Sequence, residues 1–579
     1  IGALKYQEVD AMINIIDTIF QSKIFQGFEG RIIRIILKAT KLLEVEKGLL
    51  NDIDYTGERD LLVNFIREVE PILKDPEFSL VDDSGNVKVD LDYLTRPEIF
   101  AHLMSGVEII FGTYEINEDG TYVETKGSKL VAALLPSIYV KYLRPLVPEE
   151  FKELLDIIDI ETLSSETLAR DVKRLVYIAG ELVEMDAQTL LSGGSVVYTD
   201  KLENFQHIID ALLDIEMFKR CGNEVFAWTI NYLADKFAGK LNIEKVSAED
   251  FKDVDWKQEG ATAKAVIKEI INFLEVNDLQ NTEKLIQFFK DKTYMNVSFV
   301  TTENVNTMLN IVNTLLDLQT IECVLPIAFQ VGVNQLITAN IIEEDFWNGE
   351  LTGAQLVEDL HSVLNIADVL INEMDFVEYW RNGFKGDIFM IPESSSVNKV
   401  LDELFAMNIV KGYEARLVQY AVNKYLPENK IITAADIDAS AVENWENEVQ
   451  AFENIIAELI KIVKDNNFTT VGQIVDLINE YKNDKTVVNK YITDTNIGNL
   501  SNVVEAARGS ELVTNILPTV LKYGLSLAKD AGYNVDFLND LTAAELNEDL
   551  HVVAEMIKLA ASEGVACVIL KEQLKIDTK

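Results

Sequence analysis

Cysteine, histidine, proline and arginine are all scarce in this chain, at 3, 4, 10 and 12 of 579 residues. Cys221, Cys323 and Cys567 share no C-x-x-C spacing, which excludes a disulfide scaffold and cysteine-bound zinc. His102, His207, His361 and His551 form no H-E-x-x-H or other ligand spacing, so each reads as an incidental helix residue. There is no G-x-S-x-G, no Walker A and no G-x-G-x-x-G after a strand. No run approaches about eighteen consecutive apolar residues, so no transmembrane segment is expected in this fragment. Positive charge is also short: 52 Lys and Arg face 96 Asp and Glu, a net charge of −44. Such a surface repels phosphate backbones, and no basic patch offsets it, which excludes nucleic-acid binding.

Two acidic loops offer oxygen ligands for calcium. The first is Asp82-Asp83-Ser84-Gly85-Asn86 with Asp90 and Asp92, and the second is Asn117-Glu118-Asp119-Gly120. Neither has the ligand order of an EF-hand loop. No catalytic, cofactor-binding or metal residue is therefore predicted, with calcium at the first loop the one cofactor worth testing.

What is present is repetition. A pattern of two apolar residues and then Asp, Glu or Asn, with further apolar residues behind, centres on Asp17, Glu108, Asp210, Asn313, Asp402 and Glu505. The steps are 91, 102, 103, 89 and 103 residues. A second marker runs in phase, a large apolar residue followed three later by Glu: Tyr55/Glu58, Leu163/Glu166, Trp256/Glu259, Trp347/Glu350 and Trp445/Glu448. Leu541/Glu545 is a looser sixth copy. A fixed period of this kind marks a repeat architecture.

The copies alternate. Leu135-Pro136, Leu325-Pro326 and Leu517-Pro518 fall only in the even ones, while Asp occupies the first marker only in the odd ones. The chain therefore reads as six units of about 98 residues in three unlike pairs of about 192. Their expected bounds are 1–86, 87–194, 195–295, 296–386, 387–488 and 489–579.

Apolar residues spaced by three and four, as in Met12, Ile13, Ile15, Ile16, Ile19 and Phe20, predict three or four helices per unit. Extended segments precede the first-marker helices (87–94, 195–202, 296–303, 387–394 and 489–496) and suit linkers or short strands paired between units. Thr113 to Thr125 alternate around a turn and predict one β-hairpin insertion, in the second unit alone. The fold class is all-α, a tandem helical solenoid or rod of small bundles.

Sixfold repetition of one acid in an apolar helix argues for structure and against catalysis. Asp17 and its equivalents read as docking elements between unlike halves, and the tryptophans as packing anchors. The function expected is non-enzymatic: a structural, adhesive or protein-interaction repeat protein whose partner is another protein or a second copy. Lysine-rich, arginine-poor composition suits a fragment of a larger bacterial cell-surface protein. An intracellular helical scaffold, or a small-ligand binder with a pocket near the second unit, are the alternatives.

Overall fold

A computed structural model describes residues 9–39, 41, 43–75, 77–78, 93, 96–117, 121–147, 149–186, 189, 194–237, 245–339, 341–342, 350–425, 432–530 and 541–573. These are overwhelmingly helical, and one two-stranded antiparallel sheet is found among them. The chain divides into two compact bodies. The first is Ile1–Asp291 with Leu318–Thr320, and the second is Lys292–Asp317 with Ile321–Lys579.

In the first body the helices are α1 (Val9–Gln21), α2 (Glu29–Ala39), α3 (Glu58–Glu68), α4 (Glu70–Lys74) and α5 (Pro97–Phe111). After the hairpin come α6 (Lys129–Ile138), α7 (Lys152–Ile158), α8 (Ser165–Glu184), α9 (Leu202–Asp214), α10 (Glu216–Phe237), α11 (Trp256–Val276) and α12 (Thr282–Lys290). The second body has α13 (Thr302–Leu316), α14 (Gln319–Thr338, its first two residues grouped with the first body), α15 (Gly353–Asp368) and α16 (Phe376–Arg381). There follow α17 (Ser394–Ala406), α18 (Glu414–Tyr425), α19 (Trp445–Asp465), α20 (Val471–Asn483), α21 (Asp494–Ala507), α22 (Glu511–Asp530), α23 (Ala543–Ser562) and α24 (Ala566–Gln573).

Each body contains a row of helices in which successive members touch. In the first the row is α1, α3, α5, α8, α9 and α11, and in the second α13, α15, α17, α19, α21 and α23. Every first-marker residue lies on a helix of these rows, and that helix packs on the helix that follows the second marker. The apolar stripe predicted for α1 supplies its part of the core: Val9 and Ile13 are buried against Val63 and Ile66 of α3. Full burial of such a side chain is worth about 1.5–3 kcal/mol. Trp445 sits against a buried cluster of Ala439, Val442 and Leu512, and Trp256 meets Phe218 and Phe226 edge-on.

The three Leu-Pro prolines all lie within helices, as the eighth residue of α6, α14 and α22. There each removes one backbone hydrogen bond, and the helix continues past it.

The hairpin forms where predicted, β1 (Tyr114–Ile116) pairing with β2 (Tyr122–Glu124) in the register Tyr114↔Glu124. Gly112 makes its entry possible: at φ 84° it comes so close that a Cβ there would lie 2.3 Å from the Thr125 carbonyl oxygen. The extended segments behave differently from expectation. Two of them make single bridges, Val197↔Asn281 and Met390↔Thr470, to the residues that cap α12 and α20. Each bridge stays inside one predicted unit, because the partner is the exposed backbone just before a short helix. The segment at 296–303 runs as a turn into α13, and that at 489–496 leads from a short 3-10 helix, Lys485–Tyr491, into α21. Segment 87–94, apart from Tyr93, lies outside the described residues, as do Trp347, the first calcium loop and residues 118–120 of the second.

Candidate functional site

A helix begins with amides that have no acceptor within the helix, and these carry partial positive charge. At five places a carboxylate on one long helix of the rows accepts hydrogen bonds from amides that open a helix or turn of the next predicted unit. Glu58 accepts from the Ser128 hydroxyl at 2.5 Å and the Lys129 amide at 2.7 Å, at the start of α6. Asp171 of α8 accepts from the amides of Glu216 and Met217 at 2.8 and 3.0 Å, at the start of α10. Glu259 of α11 accepts from the amides of Gln319 and Thr320 at 2.9 and 3.1 Å, and from the Thr320 hydroxyl. Asp359 of α15 accepts from the amides of Asn408 and Ile409 at 2.5 and 2.8 Å, in the turn before α18. Glu448 of α19 accepts from the Glu511 amide at 2.6 Å and the Ser510 hydroxyl. All five acids are between 0 and 7 % exposed.

Burying a carboxylate is unfavourable unless its oxygens are satisfied, and here each is met by two or more donors, at the start of a helix in four cases and in the turn before α18 for Asp359. The five fall into two chemical types. Glu58, Glu259 and Glu448 meet a hydroxyl-bearing residue, Ser128, Thr320 or Ser510, whose side chain donates to the acid. In two cases that hydroxyl also caps its own helix, Ser128 accepting from Val131 and Ser510 from Val513. Asp171 and Asp359 grip two successive backbone amides with no hydroxyl. Glu259 and Glu448 are fourth in their helices, whereas Asp171 and Asp359 are seventh, one turn further on.

The second marker therefore found the buried acid in the odd predicted units only. In the even units its residues Glu166 and Glu350 are exposed. Asp171 and Asp359 were missed, although each follows a hydroxyl cap and a buried leucine: Ser164, Leu168, Asp171 and Thr352, Leu356, Asp359. That spacing was the legible signal.

One of these sites is enlarged. Arg174, one turn after Asp171 on α8, is completely buried. It contacts Glu124 of the hairpin at 2.9 Å and Asp214, at the end of α9, at 2.5 Å. Its guanidinium also lies 4.8 Å from the centre of the Tyr114 ring, a cation–π distance. Lys173 bonds the Thr125 carbonyl, and Lys219 reaches Asp214. Burial works against the Arg174 charge, yet Asp214 and Glu124 outweigh it and hold its pKa above the usual value. For Asp171 burial wins: its pKa is raised even though the Glu216 and Met217 amides and Arg174 pull it down. The hairpin insertion is thus tied into the fold by a buried charge cluster.

Four of the six first-marker residues do a different job from the docking between halves expected of them. Asp17 pairs with Arg59 at 2.8 Å, Asp210 with Lys264 at 2.6 Å, Asn313 with His361 at 3.1 Å and Glu505 with His551 at 3.0 Å. Each partner lies on the long helix of the same predicted unit, and the acids are partly exposed. Asp402 instead faces Glu453, and burial together with Asp402 pushes the Glu453 carboxyl above its ordinary range. The histidines are not incidental. His102 and His207 meet Glu68 and Glu181 at 3.0 Å, joining α5 to α3 and α9 to α8.

A cavity of about 360 Å³ between α7 and α10 is lined by Glu153, Ile157, Glu224, Trp228 and Asn231. An apolar one of about 440 Å³ lies among Ile462, Phe468, Leu477, Tyr491 and Leu500. One helix, α14, is long and apolar enough to cross a membrane by length and composition, although Glu322, Gln330 and Asn334 interrupt its apolar run. Among the described residues no three His, Cys, Asp or Glu side chains gather as a metal-ligand set. No protein-family model, curated protein or solved structure matches this chain.

Proposed function

We propose that this chain is a non-enzymatic structural repeat protein. Six helical units in three unlike pairs present an acidic surface for adhesion or protein interaction, as part of a larger bacterial surface protein. The observation that carries this reading is the recurrence of one device, a buried acid on a long helix capping the next unit, at each of the five predicted unit boundaries. In a repeat array, stability is a sum of unit terms and nearest-neighbour terms, and such boundaries are where the neighbour terms reside. The Lys-rich, strongly acidic composition supports a solvated surface and a basic or self-complementary partner.

Pulling single molecules from the two termini tests the reading. Release of units of about 98 residues lengthens the chain by roughly 330 Å per event, and release of pairs by about twice that, at about 3.4 Å per residue. Events of those sizes support the repeat array. A single event releasing the whole chain contradicts it.

A further inference from the structure

The last predicted unit holds an acid of the aspartate type that caps nothing among the described residues. Thr542, Leu546 and Asp549 reproduce the spacing of Ser164, Leu168, Asp171 and of Thr352, Leu356, Asp359, with Thr542 again the helix cap and Asp549 again the seventh helical residue. The three aspartates stand 188 and 190 residues apart. Asp171 and Asp359 are 0 and 4 % exposed, yet Asp549 is exposed and has no hydrogen-bond partner among the described residues. The stripe of α23 that continues from it is also bare. Val552, Met556 and Leu559 are 55, 65 and 64 % exposed, whereas Glu181 and Val369, the counterparts of Leu559, are 8 and 6 % exposed.

The first unit holds the complementary half. The turns that receive Asp171 and Asp359 begin six residues after Asp210 and Asp402, and the same offset from Asp17 falls on Lys23. This turn is already folded. Phe25 and Gln26 donate to the Ser22 carbonyl at 3.0 and 3.2 Å, as Val410 and Lys411 donate to that of Met407 at 3.0 Å. The amides of Lys23 and Ile24, equivalent to those of Asn408 and Ile409, have no acceptor among the described residues. Ile24 is 81 % exposed, whereas Ile409 is partly buried. Charge matches as well. Residues 9–41 carry five basic and three acidic side chains in a chain of net −44, while residues 541–573 carry two basic and six acidic.

We infer that the last unit of one molecule docks on the first unit of a second copy, Asp549 capping the amides of Lys23 and Ile24 as Asp359 caps Asn408 and Ile409. The exposed stripe of α23 covers Ile24, and Lys23 adds an opposite charge beside Asp549. Such a contact is heterologous, head to tail, so it propagates from copy to copy. It rests on the repeat reading, but single-molecule pulling tests that reading with no second copy present, so the two can fail separately.

Sedimentation velocity over the micromolar to hundred-micromolar range tests the contact. Wild-type chain is expected to pass from monomer to dimer and larger species as concentration rises. Asp549→Lys and Ile24→Asp, both at exposed positions, are each expected to remain monomeric with an unchanged circular dichroism spectrum and melting profile. Met556→Glu, on the same stripe, is expected to weaken association roughly tenfold or more. A mixture of Asp549→Lys and Ile24→Asp retains one good half of each kind, so it is expected to form a 1:1 dimer and nothing larger. A wild type that stays monomeric throughout, association that survives both substitutions, or a mixture that forms no dimer overturns the proposal.

Discussion

The acids of the odd and even predicted units solve one problem with side chains of different length. Glu58, Glu259 and Glu448 reach a helix start that offers a hydroxyl as well as an amide. Asp171 and Asp359 start one turn later on their helices and grip two bare amides. The shorter arm goes with two backbone amides, and the longer arm with a hydroxyl beside a directly bonded amide. What is kept across all five is a negative charge, buried and fully hydrogen-bonded, against the positive end of a helix or turn. Within the aspartate type there is a second contrast. Asp171 has Arg174 three residues on, whereas Asp359 has Ser362 in that place.

The largest effect is expected from that second contrast. Arg174→Met leaves Glu124 and Asp214 with only Lys173 and Lys219 as counter-charges and removes the cation shared between them, and loss of one partner of a buried pair costs about 3–5 kcal/mol. Ser362→Ala, its counterpart, is expected to stay within about 0.5 kcal/mol of wild type. Urea unfolding followed by circular dichroism reads both. If the two substitutions have equal effects, the buried cluster adds nothing to the aspartate type.

Next come the acids themselves. Glu448→Ala and Asp359→Ala each leave amides without their charged acceptor, at about 1.5–3 kcal/mol. Near-equal losses show that the two types are equivalent solutions, and a loss at only one breaks the comparison. Exchanging lengths sharpens it. Glu448→Asp withdraws the carboxylate from Ser510, and Asp359→Glu pushes it into the turn at Asn408. Each is expected to destabilise by about 1–2 kcal/mol while keeping the charge.

The smallest effects belong to the first marker. Asp210→Ala removes a partly exposed pair with Lys264 and is expected to change stability by less than about 1 kcal/mol. At the equivalent place in the fifth unit the sign reverses, because Asp402 faces another acid. The Glu453 pKa is raised in the folded state, so its ionisation opposes folding at neutral pH, and that penalty fades as pH falls through the folded pKa toward the unfolded value. Glu453→Gln is therefore expected to stabilise the protein at neutral pH and to lose the advantage on acidification. Melting temperatures across that pH range decide it.

Helical class, the positions of α1, α11, α19 and α23 and the hairpin were legible, because each depends on residues close together in the chain. The acid at each boundary was half legible. Trp256/Glu259 and Trp445/Glu448 carry a bulky aromatic that draws the eye, while Leu168/Asp171 and Leu356/Asp359 look like any helical leucine and acid. Arg174 was not legible, since Glu124 and Asp214 lie 50 and 40 residues from it and only the fold brings them together. The marker aspartates were misread for a related reason. Their partners, Arg59 and Lys264, belong to the same unit, and a charge alone does not say which neighbour it faces.

The central claim is that a buried acid holds the opening amides of the next predicted unit, and three segments at the same offset from Asp17, Asp210 and Asp402 allow it to be tested without any substitution. Residue-resolved hydrogen exchange, at a concentration too low for association, compares the amides of Met217 and Ile409 with that of Ile24. The account predicts slow exchange at Met217 and Ile409, which are bonded to Asp171 and Asp359, and fast exchange at Ile24, which has the same offset and no acid. Exchange at Ile409 and Met217 as fast as at Ile24 would contradict it.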